Sequence, residues 1–121
     1  MPKILVVDDE VNVRKLYQLE LEDDGHEVAT AANGTEALQL IATSLPDLVI
    51  LDIKLENENG LDVLRRMKEV QPTLAVILNS GFSTYRDDFS SWLADAYLVK
   101  CSNSSELTST VREILEARAV R

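Results

Sequence analysis

The chain has 121 residues, of which 45% are hydrophobic and 27% are charged, and its 21 acidic against 12 basic residues give a net charge of -9. These values predict one globular domain over residues 1–121 and exclude a disordered or low-complexity chain. The acidic balance disfavours nucleic acid as a direct partner, because phosphate backbones are held mainly by clustered cations. No apolar run is long enough to span a bilayer and no signal-like segment is evident, so we expect a cytoplasmic protein without membrane contact.

Short apolar runs alternate with helical patterns along the chain, which is typical of successive βα units on a parallel sheet. Continuous apolar runs in the first, third and fourth predicted strands indicate strands covered on both faces. The second strand is short and mixed, so we expect it at an edge of the sheet. The five predicted strands are Lys3–Val7, Glu27–Thr30, Leu48–Leu51, Leu74–Asn79 and Ala96–Val99.

Apolar spacing and capping residues predict helices between the strands. An Asn stands three positions before an acidic residue at three predicted helix starts, which are Asn33, Asn59 and Asn103. Ser83 or Thr84 opens a further helix ahead of the fifth strand. The first helix is predicted to bury Val13, Leu16, Tyr17 and Leu21, and the last to bury Leu107, Val111, Ile114 and Leu115.

The rarest residue types exclude several classes of site. A single cysteine, Cys101, rules out an internal disulfide and a metal site built from several cysteines. The single histidine, His26, follows Gly25 in a polar turn and is predicted to be a surface residue, which disfavours a Ser–His–Asp triad. The four glycines are scattered, so neither the dinucleotide-binding nor the P-loop pattern is present.

Polar side chains stand at the carboxyl ends of four predicted strands, where an open parallel sheet forms its ligand crevice. Carboxylates brought close there recruit a cation, and hard oxygen donors without His or thiolate suit Mg²⁺. A carboxylate oxygen beside a divalent ion and an ammonium group can attack phosphorus, so the pattern predicts aspartyl phosphorylation. At any one strand end the alternative is an acidic residue that only caps the next helix. The residues concerned are Asp8, Asp9, Glu10, Asp52, Asn79, Ser80 and Lys100.

Four motifs, in this order and spacing, resemble the receiver domains of two-component response regulators. They are KILVVDDE at 3–10, LVILD ending at Asp52 with Gly60 eight residues later, ILNSG at 77–81 and AYLVK ending at Lys100. The resemblance covers essentially the whole chain. It implies a flavodoxin-like, doubly wound α/β fold, with a five-stranded parallel sheet in the order 2-1-3-4-5 and helices on both faces.

The resemblance also implies roles for individual residues. The Mg²⁺ ligands would be Asp8, Asp9, Asp52 and the backbone carbonyl of Lys54. The residues acting on the phosphoryl group would be Asp52 as its acceptor, Lys100 as a contacting ammonium, Ser80 as the switch hydroxyl and Tyr97 as the switch aromatic. For Tyr97 an ordinary strand aromatic is the alternative.

The function implied is a signalling switch that accepts a phosphoryl group from a sensor histidine kinase or a phosphotransfer protein. Such a protein is not a metabolic enzyme, since it catalyses only its own phosphorylation and slow autodephosphorylation. We expect a monomer or weak dimer that acts on a downstream protein target which the sequence does not identify, and no output domain within these residues. One alternative is an interaction module that does not use phosphorylation. Another is a Mg²⁺-dependent phosphatase, which would need substrate-binding loops or a cap domain.

The chain departs from the receiver pattern at several positions. Glu56 stands where the family commonly has proline, and residues 56–59 are acidic and polar, so we expect this loop to be more mobile. Cys101 replaces the proline that commonly follows the lysine, so we expect a trans Lys100–Cys101 bond, because a cis bond before a non-proline residue costs roughly 3 kcal/mol. The segment before Lys100 is shorter than usual, which predicts a weak dimer on activation. Phe82 and Lys54 flank the phosphoryl position, and the bulk of Phe82 together with the ammonium of Lys54 is expected to prolong the life of the phosphoryl group.

Overall fold

A computed structural model describes residues 2–55, 58–80, 95–99 and 105–119. Through the first three strands of the described chain, strands and helices alternate, and a short hairpin then separates the third strand from the third helix. The strands are β1 (Lys3–Val7), β2 (Glu27–Ala31), β3 (Leu48–Asp52), β4 (Lys54–Leu55), β5 (Glu58–Asn59), β6 (Ala75–Ser80) and β7 (Ala96–Val99). The helices are α1 (Val11–Asp23), α2 (Gly34–Ser44), α3 (Gly60–Val70) and α4 (Ser105–Ala119).

The main sheet has five strands joined by four parallel pairings, in the order β2-β1-β3-β6-β7. Numbered by these strands alone, this is the predicted order 2-1-3-4-5, and the predicted fold is confirmed. All five residues of β3 are buried, as its continuous apolar run requires at the centre of a sheet. β2 lies at an edge, as its mixed composition predicts.

Helices cover both faces of the sheet, and alternate residues of each central strand enter different cores. On one face Val49 and Leu51 of β3 pack with residues of α2 and α3, among them Ile41 and Leu64. On the other face Leu48 and Ile50 pack with residues of α1 and α4, which are Tyr17, Leu21, Leu107 and Val111. The two cores therefore fix β3, and the residue at its end, from both sides.

Two of the predicted Asn caps are present. Asn33 Oδ1 accepts a hydrogen bond from the Glu36 amide at 2.9 Å, and Asn59 Oδ1 accepts one from the Leu61 amide at 2.8 Å. Each bond satisfies an amide at a helix start that has no partner within the helix. Asn103 and the predicted helix opening at Ser83 or Thr84 lie outside the described residues.

The β4–β5 hairpin was not predicted. Lys54 pairs with Asn59 and Leu55 with Glu58 in antiparallel register, and Leu55 is buried in the core beside α2 and α3. Two residues of the loop that was expected to be mobile, Glu58 and Asn59, are therefore paired as a strand. Glu56 itself lies outside the described residues.

The prediction of a surface His26 is wrong, since only 8% of the residue is exposed. Gly25 takes φ +90, a conformation that glycine adopts without steric cost, and the chain turns back there. The His26 amide then donates to the carbonyl of Leu21 at 3.1 Å, which draws the residue against α1. The stripe predicted for α1 is also too wide, because Leu16 is half exposed.

No helix in the described parts of the chain combines the length and the apolar character needed to cross a membrane.

Candidate functional site

The carboxyl ends of β1, β3 and β6 bring three buried polar side chains to one edge of the sheet. Val7 pairs with Leu51, so Asp8 and Asp52 are the next residues along two neighbouring strands. Asp52 in turn pairs with Asn79. The exposed fractions of Asp8, Asp52 and Asn79 are 2%, 5% and 4%. With neighbouring strands about 4.8 Å apart, this edge carries two aspartates in an environment that disfavours uncompensated charge.

Asp8 is held in place by neighbours on three sides. Its amide donates to the carbonyl of Ala31 at 3.1 Å, which continues the pairing of β1 with β2. Its Oδ1 accepts a hydrogen bond from the Glu10 amide at 2.9 Å. Arg14 Nη1 donates to its carbonyl oxygen at 2.6 Å, which brings a cation from α1 to the acidic turn.

The turn after β1 forms an acidic cluster. One carboxylate oxygen from each of Asp8, Asp9 and Glu10 lies within 4.8 Å of the other two. Oxygen donors without nitrogen or sulfur fit a hard divalent cation such as Mg²⁺. Asp8 and Asp9 are the predicted ligands, whereas Glu10 was recognised only as an acidic residue at the strand end.

Asp52 stands at the junction between β3 and the β4–β5 hairpin. Its Oδ1 accepts a hydrogen bond from the Lys54 amide at 3.3 Å. The Gly60 amide donates to the carbonyl of Ile53 at 2.6 Å, which closes the hairpin against the start of α3. An added Cβ at Gly60 would overlap the carbonyl oxygen of Asp52 and lie 2.6 Å from the Cα of Ile53. The motif glycine therefore permits α3 to begin directly against the backbone of Asp52.

Asn79 has a partner that sequence reasoning missed. Its Nδ2 donates to the hydroxyl oxygen of Tyr17 at 2.7 Å, in a buried hydrogen bond between β6 and α1. The two residues are 62 positions apart, and Tyr17 was predicted only as an apolar core residue. A polar residue at a buried strand end was the available signal, because such an amide needs a partner.

The remaining predicted site residues lie at the ends of β6 and β7. Ser80 is the last residue of β6 and pairs with Val99, while Tyr97 pairs with Leu78. These registers bring the ends of the two strands to the same edge as Asp52. The side chains of Ser80 and Tyr97 lie outside what the structure describes, as do Lys100, Phe82 and the Lys100–Cys101 bond.

The family described as response regulator receiver domain matches residues 4–112. Among curated proteins, the response regulator ArlR of Staphylococcus saprophyticus is 34% identical over 119 residues, which are 95% of this chain and 53% of ArlR. The chain thus spans about half the length of that relative.

Solved structures of one protein, the response regulator TrrA of Thermotoga maritima, are similar over nearly the whole chain. TrrA in complex with Mg²⁺ and BeF is 44% identical, with a TM-score of 0.90 over 93% of this chain and 98% of TrrA. TrrA in complex with the histidine kinase ThkA has a TM-score of 0.89 over 95% of this chain and 99% of TrrA.

Proposed function

This chain belongs to the family of response regulator receiver domains, and from that membership we propose that it is a phosphorylation-controlled signalling switch with Asp52 as the phosphoacceptor. The observation that carries this proposal is the placement of Asp8 and Asp52 on neighbouring strand ends, both almost completely buried. Two carboxylates so placed repel each other, and a bound cation would offset their charge. A relative of 44% identity that binds Mg²⁺ with BeF supports the choice of the cation.

The residues that would hold Mg²⁺ are Asp8, Asp9, Asp52 and the backbone carbonyl of Lys54. An ion bound there would offset the negative charge that develops on the oxygens of a transferring phosphoryl group. The acidic cluster of the β1–α1 turn consists of the hard oxygen donors that such an ion prefers. Glu10, as the third carboxylate of that cluster, adds negative charge beside the ligands.

In the proposed reaction, an oxygen of Asp52 forms a bond to phosphorus. The bond from phosphorus to a nitrogen of the donor phosphohistidine breaks, and that nitrogen keeps the electron pair. The hydrogen bond from the Lys54 amide orients the Asp52 carboxylate before attack. Lys100 would contact the phosphoryl group on Asp52 through its ammonium. Ser80 and Tyr97, as the switch pair, would respond to the charge of that group.

The donor we propose is a sensor histidine kinase or a phosphotransfer protein, and the receiver complex of TrrA with ThkA supports a kinase. The chain would act as a phosphoacceptor that catalyses its own phosphorylation and slow dephosphorylation, within a single receiver domain over residues 1–121. Phosphorylation would change the surface of the domain, and the changed surface would then bind a downstream protein.

The decisive experiment is incubation of the protein with acetyl phosphate, with MgCl₂ or with EDTA, followed by intact-mass measurement. We expect one phosphoryl group per chain in the presence of Mg²⁺ and none with EDTA. Absence of the phosphoryl group in both samples would overturn the proposal and favour an interaction module that does not use phosphorylation.

A further inference from the structure

The hairpin that follows Asp52 is tied to a helix that is distant in sequence. The amide of Gly34, the first residue of α2, donates a hydrogen bond to Oε1 of Glu58, which lies on β5. A carboxylate is a favourable acceptor at this place, because the first amides of a helix are unpaired and carry the positive end of its dipole. The bond is charge-assisted and partly buried, which strengthens it relative to a neutral surface bond.

The position of the Glu58 carboxylate depends on glycine at position 34. An added Cβ there would lie 2.7 Å from Cγ2 of Val63 and 2.9 Å from Oε2 of Glu58. Both distances are too short for ordinary contact, so a larger residue would displace the carboxylate. A side chain at position 34 would therefore disturb the bond between Glu58 and the start of α2.

α2 already has a cap of its own. Asn33 Oδ1 accepts from the Glu36 amide at 2.9 Å, and Glu36 Oε1 accepts from the Ala32 amide at 3.3 Å. These two bonds form a reciprocal arrangement like a capping box. The bond from Glu58 therefore adds an attachment for the hairpin to a helix start that has local caps.

The hairpin is the segment that carries Lys54. Glu58 pairs with Leu55 and Asn59 pairs with Lys54, so the position of β5 determines the position of the Lys54 backbone. Residues 53–61 contain no proline, and the restriction of φ that proline would supply is missing. The attachment of β5 to α2 supplies a restraint in its place.

From these contacts we infer that Glu58 is a positioning residue for the Mg²⁺ site, which it supports by fixing the hairpin that presents the Lys54 carbonyl. This inference rests on the proposed function. Groups that orient metal ligands without touching the metal commonly change metal affinity when they are removed. Glu58 would act in this way through α2, from outside the set of ligands.

The test is the dissociation constant of the whole protein for Mg²⁺, measured by isothermal titration calorimetry at constant ionic strength and well below the melting temperature. We expect Glu58→Ala to weaken Mg²⁺ binding about tenfold, the lower end of the range typical for groups that orient metal ligands. Glu58→Gln keeps the length and an acceptor oxygen, so it should bind Mg²⁺ clearly more tightly than Glu58→Ala. Glu69→Ala removes the same charge from an exposed position of α3 and should leave the constant within about twofold of wild type.

Gly34→Ala separates positioning from simple electrostatics, because it displaces the carboxylate without changing any charge. We expect it to weaken Mg²⁺ binding nearly as much as Glu58→Ala, and the double variant to be no weaker than Glu58→Ala alone. In the metal-free protein, NMR hydrogen exchange should show that the Gly34 amide exchanges with solvent faster in Glu58→Ala than in wild type.

Two outcomes would overturn the inference while leaving the proposed function in place. One is a wild-type protein that binds Mg²⁺ and is phosphorylated, with Glu58→Ala and Gly34→Ala both within twofold of it. The other is equal weakening by Glu58→Gln and Glu58→Ala together with an unchanged Gly34→Ala, which would indicate a charge effect only. If Gly34→Ala fails to fold, the comparison of Glu58→Gln with Glu58→Ala decides. A wild-type protein that neither binds Mg²⁺ nor takes up phosphoryl groups would instead refute the proposed function, and the inference with it.

Discussion

The parallel strands of the main sheet all begin at one side, here called the amino edge, and all end at the other, the carboxyl edge. Aspartates have different roles at these two edges. At the amino edge, Asp47 Oδ2 accepts the Lys3 amide at 2.8 Å and the Asp47 amide donates to the Lys3 carbonyl at 2.8 Å. Asp95 forms the same reciprocal pair with Val76, again with both bonds at 2.8 Å. These aspartates complete the hydrogen bonding of strand starts whose neighbouring strands have not yet begun.

At the carboxyl edge, the aspartates gather with one another. The carboxylates of Asp8, Asp9 and Glu10 form one cluster after β1, and Asp52 is buried at the end of the neighbouring strand β3. By contrast, Asp95 has the ammonium of Lys68 3.6 Å away. Aspartates at both edges accept hydrogen bonds from backbone amides, but only at the carboxyl edge do several carboxylates also converge. The difference teaches that the convergence of like charges, and not the amide bond, separates a site from a purely structural aspartate.

The largest effect should come from Asp52→Asn at the carboxyl edge. We expect it to abolish Mg²⁺-dependent phosphoryl incorporation, because the amide replaces the nucleophilic carboxylate. The free energy of unfolding without Mg²⁺ should not fall, because one of two buried like charges is removed. Intact mass after treatment with acetyl phosphate measures the first quantity and urea unfolding the second. Incorporation equal to wild type would break the distinction between the two edges.

Asp95→Ala should show the reverse behaviour at the amino edge. The amide of Val76 is buried, and loss of its acceptor should lower the free energy of unfolding by about 1–3 kcal/mol. Phosphorylation in excess Mg²⁺ should stay within about twofold of wild type, since nothing at the site changes. Asp95→Asn keeps an acceptor oxygen and is the matched control, with a smaller loss in urea unfolding. A normal stability for Asp95→Ala would contradict the role assigned to this edge.

Tyr17→Phe tests the buried hydrogen bond between Asn79 and Tyr17 at the carboxyl edge. It removes the acceptor of the Asn79 amide and should cost about 1–2 kcal/mol of unfolding free energy, because that amide is buried. Changing both residues, Tyr17→Phe with Asn79→Leu, should cost less than Tyr17→Phe alone. Urea unfolding of Tyr17→Phe, of Asn79→Leu and of the double variant forms a double-mutant cycle with wild type. Additive losses would show that the bond contributes no coupling.

The smallest effect should come from Arg112→Gln, near the amino edge, where the guanidinium of α4 binds Asp24 after α1. The hydrogen bonds from Arg112, and then its charge, lower the pKa of the Asp24 carboxyl below its ordinary value. A pKa lowered in the folded state means that the unfolded state takes up protons first as pH falls. Wild type should thus lose slightly more stability than Arg112→Gln as pH falls through the pKa of the unfolded carboxyl and then the folded one. Parallel stability curves for the two proteins in this range would refute the linkage.

Much of the fold could be predicted because it depends on periodicity. The apolar runs of β1 and β3 and the mixed pattern of β2 lie within single segments of sequence, and they predict both burial and the edge position. The convergence of Asp8 with Asp52 likewise requires only that parallel strands end at one edge.

The features of the structure that the sequence did not predict depend mainly on contacts between residues that are distant in the chain. A strand of two residues has no measurable period, so β4 and β5 could not be recognised. The bond between Glu58 and Gly34 spans 24 positions, and that between Asn79 and Tyr17 spans 62. His26 is buried because of one backbone turn at Gly25, although its sequence neighbours are polar. Capping and periodicity are local signals and carry no information on such pairs.

The contact of Gly60 with the backbone of Asp52 restricts how this sequence can diverge over evolutionary time. Every residue other than glycine adds a Cβ, and that atom would have to displace either α3 or the end of β3. Neither shift can be compensated by one neighbouring substitution, because α3 is packed through Val63, Leu64 and Met67. A lineage that loses this glycine would therefore need several coordinated changes before it recovered the same geometry. By contrast, replacing the exposed Asp62 would remove only a first-turn charge and an exposed ion pair with Arg65, so the tolerance for substitution changes sharply within one helical turn.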